Sequence, residues 1–220
     1  MEPKPSSPPS DLDGSRPLDP LAYEKWFWGR GLSWVAGVDE AGRGPLAGPV
    51  VAAAVILPEG CWVEGATDSK TLGAARRESL YEEILAGALA IGVGAASVRE
   101  IDALNILRAT SVAMGRALRA LGRDPAHIVV DGLPVRGVEW EHEAVVGGDG
   151  IVHSISCASI VAKVSRDRLM CRLARRYPAY GWERNMGYGT PGHLRAISEC
   201  GRSPHHRTTF GAQLTMGLEG

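Results

Sequence analysis

The 220-residue sequence has little of what covalently stapled or membrane-anchored proteins need. Its four cysteines are widely separated and never form the close pairs of zinc sites or redox motifs. No apolar run reaches the roughly 18 residues that a membrane span requires, and the N-terminus has no apolar core typical of a signal peptide. We therefore expect reduced thiols, a cytoplasmic location and no membrane partner.

Net charge is also nearly absent, because 24 Lys and Arg face 25 Asp and Glu, a formal charge of −1. The charges are unevenly distributed. Residues 163–207 contain ten Lys and Arg against three Asp and Glu, a net charge of +7, which leaves −8 for the rest of the chain. A local basic region indicates a phosphate-binding surface. Solvated helix faces produce the same pattern about as often.

The composition predicts one main domain between two tails. Residues 1–20 are rich in Pro, Ser and Asp and bury too little apolar surface to order, so we expect a disordered tail. Residues 21–212 form the predicted domain, including a C-terminal helical portion, and residues 213–220 form a second tail. Residues 21–30 predict a short helix whose aromatic side chains pack against the domain edge rather than stack on bases.

Val-, Ala- and Ile-rich runs punctuated by Gly and Pro predict strands, the first three of them as an antiparallel meander. The predicted strands are residues 32–38, 50–57, 89–96, 127–130 and about 141–146. Helical spacing of apolar residues predicts helices at 99–121 and 153–176, the second ending before Pro178. Strands mixed with helices in this order predict an α/β fold in which helices pack against a mixed sheet.

Four acidic residues follow or interrupt these elements in a suggestive way. Asp39 and Glu40 end an apolar run, Asp131 ends another, and Asp167 lies in the second long helix. One such acid is more often a turn former than a ligand. Four together favour a site for hard divalent cations such as Mg²⁺ or Mn²⁺, which prefer carboxylate oxygen.

The adjacent pair poses a geometric problem. Neighbouring strand residues point to opposite faces, so Asp39 and Glu40 serve one site only if the backbone bends there or Glu40 reaches around the strand end. The glycines at positions 37, 42 and 44 permit such a bend.

Several motifs occur in a specific order between about residues 33 and 210. They are DEAGRGPLAGPVVAAAVIL from Asp39, TDSKTL at 67–72, VDG at 130–132, SISCASIVAKVSRDRLM at 154–170, and GYGTPGHL with HHRTTF between 187 and 210. Each piece alone is a weak signal. The ordered set resembles bacterial ribonuclease HII, the type 2 ribonuclease H.

The resemblance implies a ribonuclease H-like mixed sheet flanked by helices and an endonuclease that cuts the RNA strand of RNA–DNA hybrids. It also implies nicking 5′ of single ribonucleotides embedded in duplex DNA, through a two-metal-ion mechanism that leaves a 3′-hydroxyl and a 5′-phosphate. Asp39, Glu40, Asp131 and Asp167 then become the catalytic carboxylates that hold two Mg²⁺ or Mn²⁺ ions. We expect a monomer, and any contact with a replication protein stays open.

The resemblance further implies a substrate-binding set. The residues are Gly42, Arg43 and Gly44, which recognise the ribose 2′-hydroxyl, Tyr188, which packs on the sugar after the ribonucleotide, and Lys70 and Lys163, near the substrate backbone or the acids. We also expect Arg207 to touch phosphate and Arg184 to supply affinity where this chain has Met186. For Lys163 an ion pair with Asp167, one helical turn away, is an equal alternative. For Arg207 a place in a polar loop is nearly as favourable. Met186 departs from the lysine that many family members carry before the GYGT motif.

Three rivals are weaker. A non-catalytic hybrid-binding module is expected to have lost a metal carboxylate, whereas all four are present. Ribonuclease HIII usually carries an extra N-terminal domain, for which the segment before Leu32 is short and polar. A junction-resolving or strand-transfer enzyme shares the carboxylates but does not explain the GRG loop together with Tyr188.

Overall fold

The computed structural model describes residues 19–67, 69 and 71–210, and most of both predicted tails lies outside them. The strands are β1 Val35–Ala41, β2 Val50–Ile56, β3 Ala90–Ala96, β4 His127–Asp131 and β5 Glu143–Val145. The helices are α1 Ala22–Trp28, α2 Ala74–Gly87, α3 Val98–Leu104, α4 Ile106–Ala120, α5 His153–Arg176, α6 Trp182–Asn185 and α7 Pro191–Cys200. None of the described helices is long and apolar enough to cross a membrane.

The strands form one mixed sheet in the order β3-β2-β1-β4-β5. The antiparallel pairing of β1 with β2 and of β2 with β3 confirms the predicted meander. β4 runs parallel to β1, and β5 runs parallel to β4. Helix α4 covers one face of the sheet, and α2 and α5 cover the other. Because both faces are covered, every residue of β2 is buried.

Glycine permits the closest helix-to-sheet contacts. A Cβ atom at Gly37 in β1 would overlap the backbone of Ser154 in α5, and one at Gly94 in β3 would overlap the carbonyl of Ala113 in α4. The glycine at position 37 thus allows helix packing and not the strand bend that the sequence suggested.

The predicted helix at 99–121 is wrong in one respect, because the chain breaks it into α3 and α4 at Asn105. Asn105 has φ 68°, and its Oδ1 accepts hydrogen bonds from the backbone N–H groups of Leu107 at 3.0 Å and Arg108 at 3.1 Å. With ψ 166° the backbone lies outside the left-handed helical region, in a conformation that is strained for any residue other than glycine, and the strong N-cap bonds of asparagine offset this strain. Helix α2 was not predicted, since it buries only Leu80 and Ile84 and has little apolar periodicity.

The C-terminal helical portion is confirmed and has its own small core. Met170 and Ala174 of α5 pack there against Tyr180, Trp182 and Ala196. At the opposite edge, Phe27 of α1 is fully buried and stacks on His127, with 3.9 Å between ring centroids. This contact confirms the packing role predicted for the aromatic side chains of residues 21–30.

Helix α5 begins at a buried position without a cap of its own. Its N-cap residue Val152 offers no side-chain acceptor. Glu24 of α1 supplies one instead, because its Oε1 accepts a hydrogen bond from the backbone N–H of Ser154 at 2.8 Å. Glu24 is 1% exposed, and burial raises the pKa of its carboxyl group. The bond satisfies a helix N–H that solvent does not reach.

We expect Glu24→Ala to lower the free energy of unfolding by about 1–3 kcal/mol, because it leaves a buried donor without an acceptor. Urea titration measures the loss. Glu24→Gln retains the acceptor oxygen and is the matched control, with a smaller expected effect. Equal stability of the alanine variant and the wild type would show that Glu24 does not cap α5.

Candidate active site

Three carboxylates converge at one edge of the sheet. β1 and β4 are parallel neighbours in which Val38 pairs with Val130, so the next residues, Asp39 and Asp131, emerge side by side. Asp149 lies in the 3₁₀ turn Gly148–Gly150 that precedes α5. One carboxylate oxygen from each of the three residues lies within 4.8 Å of the other two.

The electrostatics of this carboxylate triad, Asp39, Asp131 and Asp149, fit a divalent cation. The pKa of Asp39, which is 3% exposed, is raised to about 8 by burial first, and then by the negative charges of Glu40 and Asp131. Hydrogen bonds from Ser159 and from the Glu40 N–H act in the opposite direction. The Oδ1 atom of Asp131 is buried and accepts no hydrogen bond from the described residues. Concentrated carboxylates with an unused oxygen are what a hard cation requires.

Glu40 lies beside the triad without joining it. The strand pairing stays regular at Asp39, Glu40 and Ala41, so the backbone bend that the sequence suggested is absent at those three residues. The Oε1 atom of Glu40 accepts from Arg43 Nη1 at 3.1 Å. Its charge nevertheless raises the pKa of Asp39. Without a backbone bend, Glu40 can serve the same site as Asp39 only if its side chain reaches around the end of β1.

Asp167 is not brought into the triad. Lys163 Nζ lies 2.7 Å from both of its carboxylate oxygens, so the ion-pair alternative is confirmed. Ser159, which bonds Asp39, precedes Asp167 by eight residues, or about 12 Å along the helix axis. The geometry corrects the sequence-based assignment, since Asp149 takes the place expected for Asp167. Asp149 was overlooked because an acid in a GGDG segment is typical of a turn. The strand predicted at about residues 141–146 indicated that the chain returns near this acid, but the pairing of β5 with β4, which delivers Asp149 to the site, is a tertiary feature.

The serine of the TDSKTL motif contacts the site indirectly. Ser69 is buried, and its hydroxyl lies 2.9 Å from that of Ser159, which in turn bonds Asp39. Lys70 lies outside the described residues, so its predicted contact with substrate stays a prediction. Ser69 therefore belongs to the surroundings of the triad.

Two buried arginines, Arg166 and Arg207, contact the inner side of the GRG loop, residues 42–44. Gly42 has φ 96°, and a Cβ atom there would overlap the guanidinium of Arg166. Arg207 donates to the carbonyl of Gly42 at 2.5 Å and to that of Arg43 at 2.8 Å. It also donates to the carbonyl of Gly48, at 3.0 Å from Nε. Gly44 is under less constraint, since an added Cβ would only touch the Tyr188 ring at 3.8 Å.

Arg207 does not face solvent, which contradicts the phosphate contact predicted for it. The residue is 1% exposed, and burial lowers the pKa of its guanidinium to about 9. Its donors engage backbone carbonyls. Arg166 is equally buried and donates to the carbonyls of Ala47, Pro49 and Met186. Both side chains fix loops rather than bind phosphate directly.

Tyr188 lines a cavity of about 790 Å³ between α2, α5 and α6. Its side chain is 47% exposed beside the GRG loop. The basic side chains that line the cavity are Arg77, Lys163, Arg168, Arg172, Arg175 and Arg184. Met186 also lines it, in a left-handed conformation with φ 50°. The cavity therefore unites Tyr188 with two of the predicted substrate-contact residues, Lys163 and Arg184, and its lining also includes the acidic Glu78, Asp167 and Glu183.

Comparison with known proteins agrees with this architecture. The sequence model of the family described as Ribonuclease HII matches residues 36–213. The ribonuclease HII of Thermosynechococcus vestitus is 54% identical over 198 residues, which cover 88% of this chain and 92% of that protein. The ribonuclease HII of Sphingopyxis alaskensis is 54% identical over 184 residues, which cover 83% and 92%.

Solved structures share the fold. The ribonuclease H2 of Pyrococcus horikoshii OT3 superimposes with a TM-score of 0.68 at 30% identity and covers 80% of this chain and 93% of that one. The ribonuclease HII of Archaeoglobus fulgidus, solved as a complex with PCNA, gives 0.66 at 29% identity, with 80% and 94% covered. The mixed sheet and its flanking helices are thus ribonuclease H-like, and the chain belongs to the ribonuclease HII family, the type 2 ribonucleases H.

Proposed function

We propose that this chain cuts the RNA strand of RNA–DNA hybrids and nicks duplex DNA 5′ of a single embedded ribonucleotide, leaving a 3′-hydroxyl and a 5′-phosphate. The observation that carries the proposal is the carboxylate triad at the sheet edge in a chain of this family, with its oxygens within 4.8 Å of one another. Cleavage by water needs no covalent intermediate on the protein.

Asp39, Asp131 and Asp149 are the proposed ligands of two Mg²⁺ or Mn²⁺ ions, with Glu40 reaching in from the strand end. Such ions, when bound, lower the pKa of a water molecule and offset charge on the departing 3′ oxygen. The protein supplies the rigid frame. Ser159 and the Glu40 N–H orient Asp39, and Asp167 pairs with Lys163 instead.

The GRG loop is the proposed reader of the ribose 2′-hydroxyl. In a trans peptide the C=O of one residue and the N–H of the next point in opposite directions. Because Arg207 binds the carbonyls of Gly42 and Arg43, the N–H groups of Arg43 and Gly44 point away from the buried guanidinium. Two adjacent donors on the outer side of a loop suit the hydroxyl by which RNA differs from DNA.

The cavity lined by basic side chains is the proposed path of the substrate backbone, and Tyr188 the contact to the sugar that follows the ribonucleotide. All four cysteines are free thiols, which supports the reducing cytoplasm as the compartment. A monomer suffices for this scheme, since each proposed site residue comes from one chain.

A duplex DNA with one embedded ribonucleotide, incubated with Mg²⁺ or Mn²⁺, is expected to be nicked on the 5′ side of that residue. Gel analysis with end-group mapping identifies the products. Matched duplexes with a 2′-deoxy or 2′-O-methyl nucleotide at the same position should stay intact, because the first lacks the oxygen that the loop N–H groups bind and the methyl group of the second blocks their approach to it. Comparable cutting of the all-DNA duplex would refute the proposed substrate class.

We expect Asp39→Asn, Asp131→Asn and Asp149→Asn each to lower kcat by at least about 100-fold, since even residues that only orient metal ligands contribute 10–100-fold. Asp167→Asn is the matched control on α5, and its loss should be much smaller. Thermal unfolding without metal tests folding, and the three triad variants should be at least as stable as wild type because repulsion among the carboxylates is reduced. Full activity of Asp149→Asn with an inactive Asp167→Asn would restore the sequence-based assignment.

Tyr188→Ala is expected to damage cleavage more than affinity. Apolar contact with one sugar contributes about 1 kcal/mol, a few-fold in binding. Displacement of the scissile phosphate by about 1 Å costs on the order of 100-fold in rate. We therefore expect kcat on the single-ribonucleotide duplex to fall much further than affinity measured in Ca²⁺, with a smaller loss on a long hybrid. Equal losses on both substrates would leave Tyr188 as a general structural residue.

A further inference from the structure

Two buried histidines contact each other next to the backbone of Tyr188. His193 of α7 is fully buried, and His206 is 4% exposed. Their Nε2 atoms lie 3.0 Å apart. The Nδ1 atom of His193 lies 2.8 Å from the backbone carbonyl oxygen of Tyr188, and the Nδ1 atom of His206 lies 2.9 Å from the backbone nitrogen of Ser203. The pair thus connects the C-terminal segment to the backbone of the tyrosine.

The partners fix which nitrogen carries each proton. A carbonyl oxygen only accepts, so Nδ1 of His193 must be the N–H donor to Tyr188. The Ser203 N–H only donates, so Nδ1 of His206 is the unprotonated acceptor, and the Ser203 hydroxyl, 3.0 Å from the same atom, then also donates to it. The Trp182 Nε1–H donates to Nε2 of His193 at 3.0 Å, so that nitrogen carries no proton either. The proton of the contact between the two Nε2 atoms therefore lies on His206, which donates to His193.

Both rings are therefore neutral, and their surroundings agree. Burial first, and then the neighbouring His193, lower the pKa of His206 to about 4, and burial also lowers the pKa of His193. The result is a directed chain of donors from Ser203 through His206 and His193 to the Tyr188 carbonyl. Such a chain is strengthened by mutual polarisation in a poorly hydrated interior.

We propose that His193 and His206 are positioning residues that fix the Tyr188 backbone so that its ring meets the sugar at an RNA-to-DNA junction. The inference rests on the proposed function of Tyr188. Neither histidine reaches the exposed face where the ring lies, since both are buried. They act through the carbonyl of Tyr188, which also accepts a hydrogen bond from the Thr190 N–H at 2.8 Å, and the Tyr188 N–H donates separately to the carbonyl of Asn185 at 2.8 Å. Both ends of this residue's backbone are thereby fixed while its side chain stays free to meet substrate.

The first test breaks this relay, the chain of hydrogen bonds from Ser203 through His206 and His193 to the Tyr188 carbonyl. We expect His193→Leu to lower kcat on a single-ribonucleotide duplex by about tenfold. Displacing a reacting group by about 1 Å costs on the order of 100-fold in rate, and we expect a smaller displacement here. Activity on a long RNA–DNA hybrid, which presents no junction, should change much less. Affinity for the junction duplex in Ca²⁺ should fall only slightly. Equal losses on both substrates, or no loss on either, would overturn the proposal.

Conservative variants separate positioning from stability. His206→Gln places an amide N–H near the position of Nε2 and should restore much of the junction activity that His206→Leu loses. Tyr180→Phe is the matched control, because it removes a hydrogen bond of the same cluster, from Tyr180 Oη to the Gly201 carbonyl, without touching Tyr188. It should leave the ratio of junction to hybrid activity unchanged. A shifted ratio in Tyr180→Phe would attribute the effect to cluster stability and overturn the relay.

Imidazole ¹⁵N NMR of the wild-type protein provides a readout independent of activity and of variant folding. His193 should carry its proton on Nδ1 and His206 on Nε2 at neutral pH. The opposite tautomers, or a charged ring, would contradict the donor chain. Failure of the wild type to nick the single-ribonucleotide duplex would instead refute the proposed function, so the two failures are distinguishable.

Discussion

Mutual repulsion among carboxylates is the constraint around which this protein is built. Asp39 and Asp131 emerge side by side because β1 and β4 are parallel, and Asp149 is delivered to them by the turn before α5. Burial and neighbouring charges keep the pKa of Asp39 near 8, far above its usual range. The arrangement is unfavourable on its own and becomes favourable with cations, so the frame around it must be rigid. Helix α5 supplies that frame through its contact with Gly37 and its cap from Glu24.

The basic segment uses part of its charge internally rather than on phosphates. Arg166 and Arg207 are buried and bind loop carbonyls, and Lys163 pairs with Asp167. Arg168 contacts Glu78 and Glu82 of α2. The net charge of +7 is thus partly structural. Charge counting indicated the correct region of the chain, but it cannot separate a guanidinium that binds substrate from one that binds the protein's own backbone.

The sequence predicted the sheet well because its signals are local. Apolar runs bounded by Gly and Pro identified all five strands, and the ordered motifs identified the family. The remaining errors depend on tertiary structure. Helix α2 buries too few residues to show periodicity. The break at Asn105 depends on a backbone conformation with positive φ that a single asparagine in the sequence does not predict.

The site shows the same limit. Asp39 and Asp131 were predictable, since strand ends at one edge of a sheet bring their side chains together. Asp149 was not, because its role depends on where β5 ends relative to β4, which no local pattern specifies. Asp167 was attractive because of its place in a recognisable motif, yet helical rise carries it about 12 Å beyond Ser159. Motif membership indicated the family correctly, but it did not indicate which acid converges with Asp39 and Asp131.

Two adjacent residues, His206 and Arg207, connect the GRG loop with Tyr188, the two parts of the surface proposed to recognise the ribonucleotide. Arg207 holds the carbonyls of the GRG loop, and the preceding His206 acts through His193 on the carbonyl of Tyr188. Because both contacts start from neighbouring residues, the loop and the tyrosine share one reference point. In a duplex the helical geometry holds the distance between a 2′-hydroxyl and the next sugar within a narrow range. A surface that reads both features needs the same fixed spacing, and a shared anchor in a buried segment provides it without placing either anchor residue in contact with substrate.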